Sequence, residues 1–214
     1  MKPTMIFDLD GTLLNSIPDI ANAMNAALSH YGLPTHSLFD YRMKIGNGAH
    51  KLAERSVQNA TDKVEQVFAY YTAEYASHCR EESHLYDGIF EMLHTLSAND
   101  IDMCIFSNKN QADVEVVIAH YFPDIPFRIL RGSMPHIPLK PHPQGALIIA
   151  EELNVSPENC YFVGDTPMDI HCGKNANMRT IGVTWGFRDR VILEQENADF
   201  LADTPQEVLS YLGV

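Results

Sequence analysis

The sequence predicts a doubly wound α/β protein in which helices pack on both faces of a Rossmann-like parallel sheet. An all-helical unit is inserted after the first strand. Two observations carry this prediction. From residue 83 onwards, short apolar runs alternate with segments of helical periodicity, which is typical of a doubly wound parallel sheet. Between residues 15 and 82, we find convincing periodicity of the helical kind alone. We therefore expect residues 1–14 and 83–214 to form the α/β core and residues 15–82 to form a helical domain.

The first strand is predicted from the apolar run at residues 5–7, which is too short for a helix. Asp8 and Asp10 follow at once, and a buried strand does not carry carboxylates unless something compensates their charge. If the strand geometry persists, both side chains point the same way, and Gly11 then permits a sharp exit. A surface Asp-Gly turn would explain Asp10 but not Asp8. Because open α/β sheets bind ligands at the carboxyl ends of their strands, we interpret both as site residues.

The inserted unit is predicted to contain four helices. The first has apolar residues at helical spacing over residues 17–31, and Ser16 with Asp19 resembles a capping box at its start. Further helical segments follow at residues 37–44, from residue 49 and over residues 64–75. The loop Ile-Gly-Asn-Gly at residues 45–48 lies between the second and third helices and would allow close backbone approach to a ligand.

The core is predicted to contain further strands, at residues 101–106, 127–130, 160–163 and 180–184. Ser107 and Asn108 follow the first of these strands. A hydroxyl and backbone N–H groups that lead into a helix are suited to a phosphate oxygen, although an ordinary loop and helix cap is the alternative. Lys140 lies between prolines that fix the backbone and would help it reach one site, the alternative being a solvated lysine in a turn.

A second acidic pair follows the predicted strand that ends at Gly164. Asp165 and Asp169 are four residues apart around a helix that would start at Pro167, so they can share one side of its first turn. Two strand ends that each offer carboxylates make a site for a hard cation of the Mg²⁺ type. Simple complements to the helix dipole are the alternative.

The totals restrict the function further. A formal net charge of −13 argues against general binding to nucleic acid or anionic membranes, but not against a small phosphorylated ligand in a locally positive pocket. The four cysteines are widely spaced and no apolar run reaches 18 residues, which together predict a reduced, cytoplasmic chain. The ten histidines form no zinc-binding pattern. Arg188 and Arg190 are predicted to lie in a solvated loop, whereas Trp185 suits either the core or a cleft.

The motifs at these positions resemble those of the haloacid dehalogenase-like phosphohydrolases, in the family's order. The run DLDGT at residues 8–12 resembles the first motif, DxDGT, and GDTPMD at residues 164–169 resembles the fourth, GDxxxD. Ser107 and Lys140 stand where the second and third motifs place a hydroxyl and a lysine. The helical unit lies where one class of the family inserts its cap domain. The runs RMKIGNGA at residues 42–49 and GVTWG at residues 182–186 resemble the phosphoglycolate phosphatase branch, from which Asn15 and Asn177 depart.

This resemblance implies an Mg²⁺-dependent phosphatase. Asp8 would attack phosphorus and form an aspartyl-phosphate, and Asp10 would act as general acid and then general base. The implied metal ligands are Asp8, the carbonyl of Asp10, Asp165 and Asp169. The implied phosphate-binding and substrate-binding residues are Thr12, Ser107, Asn108 and Lys140 in the core, with Arg42 and Asn47 in the cap.

Five other functions share parts of this pattern. Thr12 argues against a sugar-phosphate mutase, which usually has a larger apolar residue there, and an inorganic pyrophosphatase stays open. Dehalogenases and phosphonate hydrolases of the superfamily lack an acid at the position of Asp10. A non-catalytic phosphate-binding domain would be favoured by the loss of an acid or of Lys140, and none is lost. We expect a monomer or homodimer whose partner is a small phosphorylated metabolite.

Overall fold

A computed structural model describes residues 3–214. Its strands are β1 (Thr4–Phe7), β2 (Leu14–Asn15), β3 (His84–Leu85), β4 (Asp102–Asn110), β5 (Ile129–Ser133), β6 (Cys160–Gly164), β7 (Arg179–Val183) and β8 (Phe200–Ala202). Its α-helices are α1 (Ile17–His30), α2 (Leu38–Lys44), α3 (Ala49–Ser56), α4 (Val64–His78), α5 (Ile89–Ala98), α6 (Gln111–Tyr121), α7 (Gln144–Glu152), α8 (Pro167–Asn175), α9 (Arg190–Gln195) and α10 (Pro205–Leu212). Six strands form one parallel sheet in the order β5-β4-β1-β6-β7-β8.

The two faces of the sheet are both covered, which confirms the predicted doubly wound α/β fold. Met5 and Phe7 of β1 belong to a large buried cluster shared with α5, α6, α10 and the inserted helices. Ile6, which points the other way, belongs to a second cluster shared with α7 and α8. Because the strands are buried on both faces, they read as nearly continuous apolar runs in the sequence.

The inserted segment contains α1 to α4, in agreement with its helical periodicity. At its two ends the chain leaves and returns side by side, because β2 and β3 pair antiparallel. This ribbon was not predicted, since two residues per strand leave no periodicity to detect. The division into two domains at residues 15 and 82 stays a prediction.

The capping box predicted at the start of α1 is wrong. The side chain of Ser16 makes no cap hydrogen bond, and its buried hydroxyl has no partner among residues 3–214. Asp19 instead accepts hydrogen bonds from the backbone N–H groups of Glu81, Glu82 and Ser83 and from the Ser83 hydroxyl. The acid therefore ties α1 to the segment that returns from α4, a partner more than sixty residues away that local spacing does not reveal.

The boundaries of the core elements also differ from the prediction. β4 continues to Asn110, four residues beyond the predicted end, and α6 begins only at Gln111, capped by the side chain of Asn110. Ser107 and Asn108 therefore lie within an extended strand and not at the start of a helix. The short elements β8 and α9 were not predicted. In the part of the chain that the structure describes, no helix is long and apolar enough to span a membrane.

Candidate active site

The carboxyl ends of β1, β4 and β6 meet at one edge of the sheet, below the inserted helices. β1 pairs with β4 on one side and with β6 on the other, so the residues that follow these strands become neighbours. A cavity of about 260 Å³ opens there. Its lining includes Asp8, Asp10, Ser107, Asn108, Lys109 and Lys140 from the core, and Gly46, Asn47, Gly48, Tyr71 and Tyr75 from the inserted unit.

Three carboxylates converge at the floor of the cavity. Oxygen atoms of Asp8, Asp165 and Asp169 lie within 4.8 Å of one another, and all three side chains are buried. Burial, reinforced by repulsion from Asp169 and Asp8, raises the pKa of Asp165 to about 8. Burial also raises the pKa of Asp8 to about 6, although Lys140 opposes the rise. The cluster therefore holds more negative charge than its protein neighbours neutralise.

Lys140 lies among these carboxylates, and its predicted contact with a phosphate oxygen stays a prediction. Its Nζ is 2.8 Å from Oδ1 of Asp8 and 2.7 Å from Oδ1 of Asp169, and the residue is only 3% exposed. Burial alone would lower the pKa of Lys140, but the two carboxylates raise it above its usual value. Asn108 holds the backbone of Lys140 in place. Its side chain accepts a hydrogen bond from the Lys140 backbone N–H at 2.8 Å and donates one to the Lys140 carbonyl at 3.2 Å.

Asp165 is held on both of its oxygens. The hydroxyl of Thr12 donates to Oδ1 at 3.0 Å, and the backbone N–H of Phe187 donates to Oδ2 at 2.7 Å. Gly11 and Gly186 allow this close approach, because a Cβ at either position would come within 2.3 Å of an Asp165 side-chain atom. The Thr12 hydroxyl thus positions Asp165 in this structure, and its predicted contact with substrate stays a prediction.

Asp169 closes the cluster from the first turn of α8. Its Oδ2 accepts from the backbone N–H of Thr166 at 2.9 Å and from the Thr166 hydroxyl at 2.6 Å, which is one half of a capping box. Its Oδ1 accepts from Lys140 at 2.7 Å. The side chain is fully buried, so both oxygens are committed to protein donors.

Asp10 has a partner that the sequence analysis missed. The Nζ of Lys109 lies 2.8 Å from Oδ1 and 2.7 Å from Oδ2 of Asp10, and the lysine side chain is 5% exposed. Burial opposes it, but the adjacent Asp10 carboxylate raises the pKa of Lys109. Lys109 directly follows Ser107 and Asn108 in the sequence, and its position two residues after Ser107 on a continuing strand was the available signal.

The two predicted substrate-binding residues of the cap line different cavities. Asn47 lines the cavity, where its side chain donates to the sulfur of Met168 at 2.8 Å and accepts from Arg55 at 2.6 Å. Arg42 instead lines a second cavity near Trp185 and donates to the carbonyl of Gly186 at 3.0 Å. The substrate-binding role of both residues stays a prediction.

The prediction of a solvated loop is wrong for Arg188. This residue is 9% exposed, and its guanidinium donates to the backbone carbonyls of Arg42 and, at 2.6 Å, of Ile45. The carbonyls come from the end of α2, which is far away in the sequence, so no local pattern indicated the burial. Arg190 is exposed, as predicted, and pairs with Glu194 and Asp203, but it is the first residue of α9 and not part of a loop.

The carboxylate cluster fits a hard divalent cation. All of its donors are oxygen atoms, which Mg²⁺ prefers, and the raised pKa values of Asp8 and Asp165 show that a nearby positive charge would stabilise their ionised forms. Together with Lys140, such a cation would neutralise the three carboxylates of the cluster. An anionic phosphoryl group could then approach Asp8.

Comparison with known proteins agrees with this geometry. Residues 5–183 match the family of haloacid dehalogenase-like hydrolases. The phosphoglycolate phosphatase of Haemophilus influenzae is 30% identical, with 96% of both chains covered. The phosphoglycolate phosphatase of Colwellia psychrerythraea is 31% identical and covers 97% of this chain and 96% of its own.

The fold comparison points the same way. A crystal structure of a predicted phosphoglycolate phosphatase from Haemophilus somnus superimposes with a TM-score of 0.88 at 29% identity, covering 98% of this chain and 97% of that one. A protein from Lactobacillus delbrueckii superimposes with a TM-score of 0.92 at 25% identity, covering 99% of both chains. The chain therefore belongs to the haloacid dehalogenase-like hydrolases, as a phosphatase that resembles the phosphoglycolate phosphatases.

Proposed function

We propose that this protein hydrolyses a small phosphomonoester in an Mg²⁺-dependent reaction that proceeds through an aspartyl-phosphate. The observation that carries the proposal is the position of Asp8, which shares one buried cluster with Asp165, Asp169 and Lys140 at the floor of a cavity. A carboxylate in such a place is activated when cations offset the repulsion between it and a phosphate.

Two steps complete the reaction. In the first, an oxygen of Asp8 bonds to phosphorus, the bond from phosphorus to the ester oxygen breaks, and Asp10 gives a proton to the departing alkoxide. Because Asp10 is paired with Lys109 in the substrate-free structure, it must take up this proton from solvent when the substrate binds. In the second, Asp10 takes a proton from a water molecule that attacks the phosphorus, which frees Asp8 and releases inorganic phosphate. Lys140, Ser107 and Asn108 would hold the remaining phosphate oxygens.

The metal would be held by Asp8, Asp165, Asp169 and the backbone carbonyl of Asp10. It supplies positive charge that offsets the anionic repulsion between nucleophile and phosphate. One oxygen of Asp169 pairs with the Lys140 ammonium group and the other accepts from Thr166, so we place its contribution in the outer shell. The donors to Asp165 are a neutral hydroxyl and a neutral peptide N–H, which leave its charge to the cation.

The substrate class rests on the size of the cavity and on the names of the relatives. A volume of about 260 Å³ suits a small leaving group, and the relatives described above are phosphoglycolate phosphatases. We therefore propose phosphoglycolate as the first substrate to assay, with the loop at residues 45–48 and Asn47 facing the leaving group. Residues 15–82 would act as a cap that closes over the site of a cytoplasmic enzyme, active as a monomer or homodimer.

Hydrolysis of p-nitrophenyl phosphate tests the proposal. We expect turnover with MgCl₂, loss of turnover with EDTA, and a fall of at least ~10³ in kcat for Asp8→Asn, roughly 4 kcal/mol of barrier. This substitution keeps the shape of the side chain and removes its attacking charge. Substantial activity of a folded Asp8→Asn protein would contradict the aspartyl-phosphate route. A panel with phosphoglycolate, glucose 1-phosphate and pyrophosphate then separates a phosphatase from a mutase or pyrophosphatase.

A further inference from the structure

Two arginines cross the boundary between the inserted helices and the α/β core in opposite directions. Arg42, near the end of α2, donates to the carbonyl of Gly186 at 3.0 Å. Arg188, in the loop after β7, donates to the carbonyls of Arg42 and Ile45. Each guanidinium thus bonds the backbone of the segment that carries the other. We refer to Arg42 and Arg188 as the arginine clasp.

The Arg188 half of the clasp depends on α2 being docked. Its guanidinium is buried, and in residues 3–214 it bonds carbonyl oxygens and no carboxylate. These carbonyls lie at the C-terminal end of α2, where the helix leaves its last carbonyls without partners and presents negative partial charge. A buried positive charge needs such partners. The contact is therefore specific to the arrangement in which the inserted helices lie against the core.

The Arg42 half reaches the carboxylate cluster through a single peptide group. The carbonyl that Arg42 contacts belongs to the peptide between Gly186 and Phe187, and the N–H of the same peptide donates to Oδ2 of Asp165 at 2.7 Å. A hydrogen bond accepted by a peptide carbonyl polarises the group and strengthens its N–H as a donor. Trp185, in the same loop, donates from Nε1 to the carbonyl of Thr12 at 2.9 Å.

We propose that Arg42 is a positioning residue that couples docking of the cap to cation binding at Asp165. When α2 is docked, the clasp fixes the 186–187 peptide, and this peptide fixes the carboxylate that holds the cation. The inference rests on the proposed metal site. Because coupling between two sites is reciprocal, a bound cation also favours the docked position of α2.

The direction in which Mg²⁺ affinity changes when Arg42 is replaced distinguishes this coupling from a simple effect of charge. Arg42 is a positive charge near an acidic cluster, so its removal by charge alone would strengthen cation binding. Loss of the clasp would instead weaken cation binding, because the 186–187 peptide that donates to Oδ2 of Asp165 would be held less firmly. Arg42 does not line the main cavity, so a direct contact with the phosphoryl group is no part of the argument.

The experiment is a titration of the substrate-free protein with MgCl₂. The dissociation constant is obtained by calorimetry and from the rise of Tm with Mg²⁺ concentration. We expect about tenfold weaker binding for Arg42→Met, as is typical when support behind a metal ligand is removed, and partial recovery for Arg42→Lys, which restores a donor. Arg190→Met is the matched control, since Arg190 is exposed and pairs only with Glu194 and Asp203 among the residues described. Its dissociation constant should equal that of the wild type.

Equal or tighter Mg²⁺ binding by folded Arg42→Met protein would overturn the coupling. If Arg42→Met does not fold, Arg188→Lys enters the same titration, where weaker binding supports the coupling and unchanged binding overturns it. The metal site is tested separately with the wild type and Asp165→Asn. If the wild type does not bind Mg²⁺, or if Asp165→Asn binds it equally well, the proposed site fails and the coupling fails with it.

Discussion

At the scale of single residues, the pair formed by Asp10 and Lys109 shows how buried charges are kept in this site. Both lysine contacts are shorter than 3 Å, and the side chains are 5% and 14% exposed. The ring of Tyr75 covers the ammonium group, with its centroid 4.7 Å from Nζ. Removing one partner of such a pair strands the other charge in a poorly solvated place.

We therefore expect Lys109→Met to lower the free energy of unfolding by about 3 kcal/mol, the lower end of the range for breaking a buried pair. The double variant Lys109→Met/Asp10→Asn should recover more than half of this loss, because no unpaired charge remains. Urea denaturation of the two single variants and the double variant measures the coupling. Lys51→Met, which alters an exposed pair with Glu54, should change stability by less than ~0.5 kcal/mol. If the double variant is as unstable as Lys109→Met, the loss does not come from a stranded charge.

The residues that the sequence could predict are those whose signal is local. Asp8 and Asp165 each follow an apolar run directly, and the alternation of strands and helices brings the two strand ends together. Lys109 and Arg188 lacked such a signal. A lysine in a polar run and an arginine in a loop are ordinarily solvated, and their burial depends on contacts that are 99 and 146 residues away in the sequence.

At the scale of elements, α1 depends on a long-range anchor instead of the predicted local cap. Asp19, 2% exposed, accepts from three consecutive backbone N–H groups and from the Ser83 hydroxyl at distances from 2.6 to 3.3 Å. The hydroxyl of Ser16, also buried, has no partner within residues 3–214. The sequence placed the helix correctly because its apolar spacing is strong, whereas its capping depended on the fold.

The two side chains give opposite predictions. Asp19→Ala should lower the free energy of unfolding by about 3 kcal/mol, since hydrogen bonds to charged groups contribute about 1.5–3 kcal/mol each and the N–H and hydroxyl of buried Ser83 would lose their acceptor. Ser16→Ala should be neutral to within ~0.5 kcal/mol, because it removes a hydroxyl that has no hydrogen-bond partner in residues 3–214. Urea denaturation compares them. If Ser16→Ala lowers the free energy of unfolding by 1 kcal/mol or more, the Ser16 hydroxyl does cap α1 and this assignment is wrong.

The predicted end of β4 was wrong for a related reason. β4 continues past the end of β1, to Asn110, along the side that pairs with β5. Its last residues, Ser-Asn-Lys-Asn, are polar and carry no strand periodicity. Asn110 pairs with Ser133 of β5 after an irregularity in the register that follows Phe106, and single-sequence patterns do not record such pairing.

At the scale of the whole molecule, an acidic protein concentrates three carboxylates at one buried point, and this makes its stability depend on pH. Asp165 has a pKa of about 8 in the fold and an ordinary value near 3.8 when unfolded, and Asp8 rises to about 6. Between pH 4 and 8 the folded state therefore binds more protons than the unfolded state. The stability that these two groups contribute falls as pH rises through that window, the reverse of a carboxylate whose pKa is depressed.

We accordingly expect Tm of the metal-free protein in EDTA to fall by at least about 5 °C between pH 5 and pH 8, measured by differential scanning calorimetry. Saturating MgCl₂ should raise Tm more at pH 8 than at pH 5, since a cation binds the ionised carboxylates and competes with protons at low pH. Asp165→Asn removes the carboxyl group whose pKa burial raises to about 8 and should flatten the fall in EDTA. Equal stabilisation by Mg²⁺ at both pH values would mean that the cluster does not bind the cation through ionised Asp8 and Asp165.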